Sequence, residues 1–164
     1  MPDLYSNPDL VRSLFFYRDG VLYWKKRASA RVHIGDKAGC QDSNGRLRLK
    51  YDEKQYSVHR LIYLMHHNKL PAVLDHIDGD CLNNRIENLR EATQMQNMWN
   101  QKIAKNNKSG VKGVCWNFHL GKWQAQCMVN GKRHNIGFFK DIEDARISLE
   151  KFRLEHHGEF ARNK

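Results

Sequence analysis

Apolar and polar positions divide the first part of the chain into short strands followed by an amphipathic helix. Two aromatic-rich runs flank an Asp-Gly dipeptide within residues 15–24, which predicts a β-hairpin. Apolar and basic side chains alternate at the start of residues 46–56, which predicts a second hairpin with one packed and one charged face. Helical spacing begins at Val58, with Ser57 as its candidate N-cap, and we expect this helix to end before Pro71.

The second part of the chain predicts a helix, three strands and a final helix. Thr93 begins a capping-box pattern, so a helix is expected at about residues 94–103. Three strand patterns follow, and the last two are joined by an Asn-Gly dipeptide at residues 130–131, a strong hairpin signal. Asp141 caps the final helix and Gly158 ends it, so the pattern predicts a three-stranded sheet packed on one helix.

The charge of the chain indicates a polyanionic partner. Its 164 residues include 28 Lys or Arg and 18 Asp or Glu, which leaves a net charge of +10. Residues 102–140 carry eight basic residues and no acidic one, and residues 105–110 have the composition of a linker. The length excludes a large multidomain enzyme, and no apolar run is long enough to span a bilayer.

Cysteine spacing disfavours a zinc ribbon, because no two cysteines form a Cys-x-x-Cys pair. The sequence shows no secretory signal, so we expect an intracellular, cytoplasmic protein with reduced thiols, although four cysteines could also form two disulfides. The cysteines are Cys40, Cys81, Cys115 and Cys127.

A carboxylate beside an imidazole, followed by two amides, is the candidate catalytic constellation. Asp75 directly precedes His76, and Asn88 and Asn97 follow the histidine by 12 and 21 positions. A carboxylate can bind a divalent metal ion, and histidine titrates in the range that suits a general base near neutral pH. Because neighbouring side chains on a strand point to opposite faces, Asp75 and His76 can approach a metal ion and a water molecule from different directions.

The stretch of residues 59–100 resembles the HNH endonuclease motif of phage-type and homing nucleases. The residues that carry the resemblance lie at 75–79, 83–89 and 94–97. The resemblance implies a ββα-metal fold around one divalent ion. It also implies that His76 is the general base, that Asp75 and Asn97 are metal ligands, and that Asn88 fixes the loop that carries His76. Oxygen ligands favour Mg²⁺, with Mn²⁺ as a substitute.

Two further residues of this region are candidates for an accessory role. His59 and Arg60 fit a His-Arg pair that recurs in related phage nucleases, so they are expected near the site, on phosphate, or as ordinary helix residues. Four other histidines are expected to be solvated residues at helix ends. These are His66, His67, His156 and His157.

The segment of residues 109–163 resembles the APETALA type of DNA-binding domain of plant ethylene-response factors, which also occurs fused to HNH nucleases. The residues that carry the resemblance lie at 113–114, 122–125, 136–139, 145 and 157–159. The resemblance implies that one face of the sheet enters the major groove of double-stranded DNA while the helix supports the other face. Strand parity independently places Gln124, Gln126 and Met128 on the exposed face. The DNA-facing set carried over by position is Lys112, Asn117, Gln124, Gln126, Arg133 and Asn135, and Lys122 is a further candidate for phosphate contact.

These observations predict an α+β protein. A small β-rich N-terminal part leads into a ββα-metal HNH unit, and a three-stranded antiparallel sheet packed on one helix follows. The predicted domains are an HNH endonuclease domain at residues 1–104, with its ββα core at about 57–104, and a DNA-binding domain at residues 105–164.

The predicted function is metal-dependent hydrolysis of phosphodiester bonds in double-stranded DNA. The protein is expected to be an endonuclease of phage or homing type in an infected host cell, a monomer or homodimer, with no membrane partner. A sequence-specific DNA-binding regulator with a structural HNH finger is the main alternative, but an intact base beside a metal ligand disfavours it. A binder of membrane surfaces or acidic proteins would use the charge and neither motif.

Overall fold

The computed structural model describes residues 3–163 of the chain. The chain forms two compact units that divide between Ala92 and Thr93. Helices and small antiparallel sheets occur together, which confirms the predicted α+β class. In the described part of the chain, no helix combines the length and apolar character needed to cross a membrane.

The first unit consists of two helices and of short strands that pair into small antiparallel sheets. The helices are α1 (Pro8–Leu14) and α2 (Val58–His67), and 3₁₀ turns cover Leu4–Ser6 and Ile86–Asn88. The strands are β1 (Phe15–Arg18), β2 (Val21–Trp24), β3 (Cys40–Gln41), β4 (Leu47–Tyr51), β5 (Lys54–Ser57), β6 (Val73–His76) and β7 (Leu89–Ala92). They pair in the orders β1–β2, β3–β4–β5 and β6–β7.

Both predicted hairpins of the first unit are confirmed. Asp19 and Gly20 form the turn between β1 and β2, with φ angles of 49° and 85° that suit a two-residue hairpin turn. Strand β4 pairs with β5 so that Leu49 lies opposite Tyr56, and both side chains are buried. The charged side chains of β4 therefore face away from the core, as the alternating pattern predicts.

Helix α2 forms the centre of the first core. It begins directly after Ser57, as predicted, but the Ser57 side chain makes no capping hydrogen bond. The helix ends at Asn68, which adopts the left-handed conformation, and thus before Pro71 as predicted. The sequence pattern had not indicated α1, whose N-terminus is capped by the Asn7 side chain accepting from the Leu10 amide at 2.9 Å. The completely buried apolar residues of this core are Leu4, Val11, Phe15, Leu22, Val58, Leu61 and Ile62.

The second unit is a three-stranded antiparallel sheet with a long helix on one face. Its helices are α3 (Gln94–Trp99) and α4 (Ile142–His157), and its strands are β8 (Val114–Asn117), β9 (Lys122–Val129) and β10 (Lys132–Phe139). The strand order is β8–β9–β10. The buried residues Ala125, Cys127 and Val129 of β9 share a core with Ala145 and Leu149 of α4, which confirms the predicted packing.

Helix α3 is shorter than the sequence predicts. The predicted capping box is present, since Thr93 Oγ1 accepts from the Gln96 amide at 3.2 Å and Gln96 Oε1 accepts from the Thr93 amide at 2.7 Å. The helix nevertheless ends at Trp99. The Lys112 ammonium donates to the carbonyls of Trp99 and Gln101 at 2.6 Å each, so both groups are satisfied without a further helical turn.

One histidine prediction is wrong. His157 is buried, its ring stacks on Trp99 with centroids 4.0 Å apart, and its Nε2 lies 3.1 Å from the carbonyl of Met128. The stack and the hydrogen bond replace solvent around the ring, and burial lowers the pKa of His157. The other helix-end histidines are exposed, as predicted; they are His66, His67 and His156.

Candidate functional site

Asp75 and His76 are the last two residues of β6, in a two-stranded hairpin with β7. In the register of that hairpin, Asp75 lies opposite Arg90 and His76 lies opposite Leu89. Because successive side chains of a strand face opposite sides, the carboxylate and the imidazole enter different surroundings. Asp75 is 4% exposed, whereas His76 is partly accessible.

Arg90 positions the Asp75 carboxylate. Arg90 Nε donates to Asp75 Oδ2 at 3.0 Å, and both side chains are largely buried. A buried ion pair depends on good geometry, because both charges have lost their hydration. A carboxylate has two oxygens and several lone pairs, so Asp75 can bind Arg90 and a cation together.

The His76 ring is held by two neighbours from the same unit. Its Nε2 lies 2.9 Å from Oδ1 of Asn84, a side chain that is 1% exposed. The ring of His59 lies next to it, with centroids 5.1 Å apart and an angle of 55° between the planes. Neighbours on two sides restrict rotation of the imidazole, which is the requirement for a group that must accept a proton from a defined direction.

His59 is a neutral imidazole beside His76. Burial, together with repulsion from His76 and from the guanidinium groups of Arg60, Arg46 and Arg48, lowers the pKa of His59 to about 3. The structure therefore places one of the two accessory candidates next to the candidate base. Its role there is packing against His76 as an uncharged ring.

Arg60, the other accessory candidate, contacts the backbone. Its guanidinium donates to the carbonyls of Pro71 and Ala72 at 3.0 and 3.2 Å and lies over the ring of Tyr5, 5.4 Å from the centroid. These contacts fix the segment that leads into β6. Arg60 thus contributes to the position of Asp75 through the backbone.

A polar network closes the loop between β6 and β7. Asn88 Oδ1 accepts from the Asp78 amide at 3.1 Å, and Asn88 Nδ2 donates to Asp78 Oδ1 at 2.9 Å and to the Asn83 carbonyl at 2.7 Å. Asn83 Nδ2 donates to Asp78 Oδ2 at 2.6 Å, and the Ile77 amide donates to the Asn88 carbonyl at 2.9 Å. Asn88 therefore fastens the residues that directly follow His76.

The same network keeps Asp78 ionised. Burial raises the pKa of the Asp78 carboxyl, but hydrogen bonds from the Asp80 amide, Asn83 and Asn88 outweigh burial and lower it below its usual range. The carboxylate accepts bonds from three directions, all of them within the loop. Asp78 is accordingly a structural centre of this loop.

Asn97 lies on α3, in the second unit. The residue is partly buried, and its backbone amide donates to the Thr93 carbonyl at 3.0 Å, in the first turn of the helix. The prediction that Asn97 lies in the capped helix after Thr93 is therefore correct. Its role as a metal ligand stays a prediction.

Six of the seven predicted DNA contacts share one face of the second unit's sheet. The register sets Asn117 beside Lys122, Gln126 beside Asn135, and Arg133 beside Met128, all on the side opposite the buried Ala125. The six are Asn117, Lys122, Gln124, Gln126, Arg133 and Asn135.

Three of these amides form a row across the strands. Asn117 Nδ2 donates to Gln124 Oε1 at 3.4 Å, and Gln124 Nε2 donates to Asn135 Oδ1 at 3.4 Å. We call Asn117, Gln124 and Asn135 the amide row. Both contacts are long for hydrogen bonds, so the groups can exchange them for other partners at little cost.

Lys112, the seventh predicted DNA contact, lies elsewhere. Its ammonium is bound to the carbonyls at the end of α3, and burial lowers the pKa of Lys112 to about 8. The same region borders a cavity of about 510 Å³ whose walls include Met95, Met98, Trp99, Met128 and His157. The Lys112 ammonium is therefore engaged at the end of α3, and Gln126, one of the other six, lines the same cavity.

Sequence reasoning missed two neighbours of the candidate site. Asn84 belongs to the run at 83–89 that carries the HNH resemblance and Arg90 directly follows it, but no local signal distinguishes them from other polar residues there. Register would have placed Arg90 opposite Asp75 once the β6–β7 pairing was known. Only the folded loop shows that Asn84, rather than Asn88, contacts His76.

Comparisons with known proteins assign the class of this site. The family model described as an HNH endonuclease matches residues 56–99, which contain Asp75, His76, Asn88 and Asn97. Residues 56–99 therefore form an HNH endonuclease domain within the chain.

Two viral relatives extend this match. Protein 3.8 of Escherichia phage T7 is 39% identical over 89 residues, which make up 54% of this chain and 73% of the phage protein. A protein described as an uncharacterized HNH endonuclease of Acanthamoeba polyphaga mimivirus is 36% identical over 116 residues, or 69% of this chain and 59% of the relative. The chain thus spans less than two thirds of the mimivirus protein. No solved structure matches the chain.

Proposed function

We propose that this chain is a divalent-metal-dependent endonuclease that hydrolyses phosphodiester bonds in double-stranded DNA. The observation that carries the proposal is the placement of His76 at the end of β6, between the His59 ring and the Asn84 amide and directly after Asp75 in the chain. This is the arrangement required by a positioned general base beside a candidate metal ligand. It lies inside the matched HNH segment.

In this proposal His76 accepts a proton from the attacking water. Asn88 contributes by fastening the loop after His76, through its bonds to Asp78 and Asn83. Asp75 holds its position through Arg90. The products expected from the HNH resemblance are a 5′ phosphate and a 3′ hydroxyl.

The residues present fit a hard divalent ion. Asp75 offers a carboxylate, and the HNH resemblance adds the amide oxygen of Asn97, so the implied ligands are the oxygen donors that Mg²⁺ and Mn²⁺ prefer. In the described part of the chain, no group of three or more His, Cys, Asp and Glu side chains could hold a metal ion. When bound, the ion would neutralise charge on the phosphate and on the leaving oxygen.

The outer face of the second unit's sheet is the proposed DNA-reading surface. The amide row offers donors and acceptors of the kind that pair with adenine edges, and Arg133 and Lys122 add positive charge beside it. The APETALA-type resemblance supports this role. The proposed domain boundary near residue 104 would leave this sheet as the targeting module.

The biological setting is proposed from the relatives. Both are viral proteins, one from a phage and one from a virus of an amoeba, so we propose that this chain acts on DNA in an infected host cell, as a phage-type or homing endonuclease. One active site cuts one strand. A monomer is therefore expected to nick, and a homodimer would be required for a concerted double-strand break.

Incubation of supercoiled plasmid with the full chain and Mg²⁺ tests the chemistry. We expect open-circle product that is lost with EDTA and falls at least about 100-fold in rate for His76→Ala, the usual contribution of a general base. His119→Ala is the matched control, because His119 is an exposed histidine of the second unit. Equal cleavage by wild type and His76→Ala would refute the assignment.

A separate experiment tests the DNA-reading surface. Gln124→Ala combined with Asn135→Ala should weaken DNA binding in a gel shift by about 10-fold or more, if each lost base contact contributes about 1–3 kcal/mol. Gln55→Ala, an exposed glutamine of β5, is the control. Retained binding without cleavage in Mg²⁺ or Mn²⁺ would favour the DNA-binding regulator over the nuclease.

A further inference from the structure

The Asn84 side chain is placed where stability alone does not require an amide. It is 1% exposed, its Oδ1 lies 2.9 Å from Nε2 of His76, and its Nδ2 is buried without a hydrogen-bond partner in the described part of the chain. A buried amide donor without a partner costs about 1–3 kcal/mol. An apolar side chain of the same volume would avoid this cost, so the amide is retained for its contact with His76.

The segment that carries Asn84 is fixed from two sides. The Tyr17 hydroxyl accepts from the Ile86 amide at 3.1 Å, and a Cβ on Gly20 would lie 2.9 Å from the Arg85 nitrogen and 3.2 Å from the Asn84 carbonyl carbon. The β1–β2 hairpin therefore packs directly against the backbone at Asn84. On the other side, Asn83 is tied to Asp78.

An amide oxygen can only accept a hydrogen bond. The contact between Asn84 Oδ1 and His76 Nε2 therefore requires a proton on Nε2, and in a neutral imidazole the other nitrogen, Nδ1, is then the basic one. The rigid support of Asn84 makes this choice of tautomer independent of the substrate. His59 packs against the same ring and limits its tilt.

We propose that Asn84 is the positioning residue of His76, holding the ring through Nε2 so that Nδ1 is the nitrogen that accepts the proton from water. This inference rests on the proposed nuclease function and goes beyond it by assigning the reactive nitrogen and the group that selects it. Asn84 itself contacts neither the substrate nor the metal in this scheme.

Nitrogen NMR of the full chain tests the tautomer without any need for activity. With ¹⁵N-labelled histidine, wild type should show His76 as the Nε2–H tautomer, and Asn84→Leu should shift its two ring nitrogens toward averaged values. Asn84→Asp retains an acceptor oxygen and should keep the Nε2–H form. Gln55→Ala is the control, since it removes an exposed amide of β5 that does not contact His76.

Single-turnover plasmid cleavage supplies the second readout. Asn84→Leu should lower the maximal rate about 10–100-fold, as expected for a group that orients an active-site ligand, while the protein concentration at half-maximal rate stays within about twofold. Asn84→Asp should recover most of the rate. An Nδ1–H tautomer in wild type, or an unchanged tautomer and rate in Asn84→Leu, would overturn the proposal.

The two proposals fail in different ways. Absence of cleavage by wild type would refute the nuclease function, while the tautomer of His76 could still be measured. If Asn84→Leu does not fold, the wild-type spectrum and Asn84→Asp still decide the assignment.

Discussion

Replacing Asn88 with alanine removes the cross-links that close the loop after His76. Three hydrogen bonds are lost: one from the Asp78 amide, one to the Asp78 carboxylate and one to the Asn83 carbonyl, at 3.1, 2.9 and 2.7 Å. No large apolar contact is lost with them, because Asn88 is only partly buried. The effect should therefore be confined to the loop.

The magnitude follows from the type of each bond. A neutral hydrogen bond contributes about 0.5–1.5 kcal/mol net, and one to a charged group about 1.5–3 kcal/mol. Asn88 makes two neutral hydrogen bonds and one to a charged group. Because water can reach the loop, we expect the contribution of each bond to lie near the lower end of its range. We expect Asn88→Ala to lower the free energy of loop opening by about 2–3 kcal/mol.

Amide hydrogen exchange measures this directly. The Asp78 amide binds the Asn88 side chain and the Ile77 amide binds the Asn88 backbone, so exchange at both should accelerate about 30–150-fold in Asn88→Ala. Asn83→Ala removes one bond to the Asp78 carboxylate, worth about 1.5 kcal/mol at the lower end of its range, and should accelerate exchange about 10–15-fold, less than Asn88→Ala. Protection of the Asp78 amide within about threefold of wild type in Asn88→Ala would refute this account of the loop.

Three further predictions test other parts of the chain. Gly113→Ala should destabilise the second unit more than Gly110→Ala in urea unfolding followed by tryptophan fluorescence. Both glycines have positive φ, which costs a non-glycine residue about 1–2 kcal/mol. Only at Gly113 would the added Cβ also lie 2.6 Å from the Gln126 carbonyl oxygen. His59, whose pKa burial lowers to about 3, should show no ring titration by NMR between pH 5 and 8. Because its folded pKa lies below its unfolded value, stability is lost as pH falls below about 6.5, and His59→Phe should reduce that loss. Burial lowers the pKa of Lys112 to about 8, so above that pH the unfolded chain binds more protons than the folded chain. The free energy of unfolding of the second unit should therefore rise between about pH 8 and 10, and Lys112→Met should remove this rise.

Local sequence signals predicted the elements that depend on neighbouring residues. The Asp-Gly turn of the first hairpin, the Thr93 capping box and the Asp141 cap of α4 are all present, because each uses groups within a few positions of one another. Asp141 accepts from the Glu143 amide at 2.6 Å, for example. Such contacts form in any context that does not oppose them.

The end of α3 and the environment of His157 could not be predicted in this way. Helix α3 stops where Lys112, thirteen positions after Trp99, reaches its carbonyl. His157 is buried because Trp99 and the Met128 carbonyl meet its ring, and both are distant in sequence. The local sequence pattern around His157 indicates neither partner and shows only a polar residue at a helix end.

The same limit applied within the candidate site. The HNH resemblance located Asp75, His76 and Asn88, but the loop holds Asn83 and Asn84 side by side with nothing in their composition to separate them. One of them braces Asp78 from the surface, and the other is buried against His76. Which amide contacts the imidazole depends on the direction of the chain at that point, which the β1–β2 hairpin sets.

The polar groups around His76 are costly to bury, and this cost favours the nuclease over a DNA-binding regulator. His59 is held neutral against its ordinary pKa, Asp75 and Arg90 have lost most of their hydration, and Asn84 keeps a buried amide donor without a partner in the described part of the chain. A finger with only a structural role could replace these groups with apolar side chains and gain stability. A site with a catalytic proton acceptor cannot replace them in this way, because the imidazole ring must be oriented and its surroundings must stay polar. If the regulator were correct, combined apolar replacement of His59 and Asn84 should leave DNA binding intact and raise the free energy of unfolding. If the nuclease is correct, the same replacement should abolish plasmid cleavage whatever it does to stability.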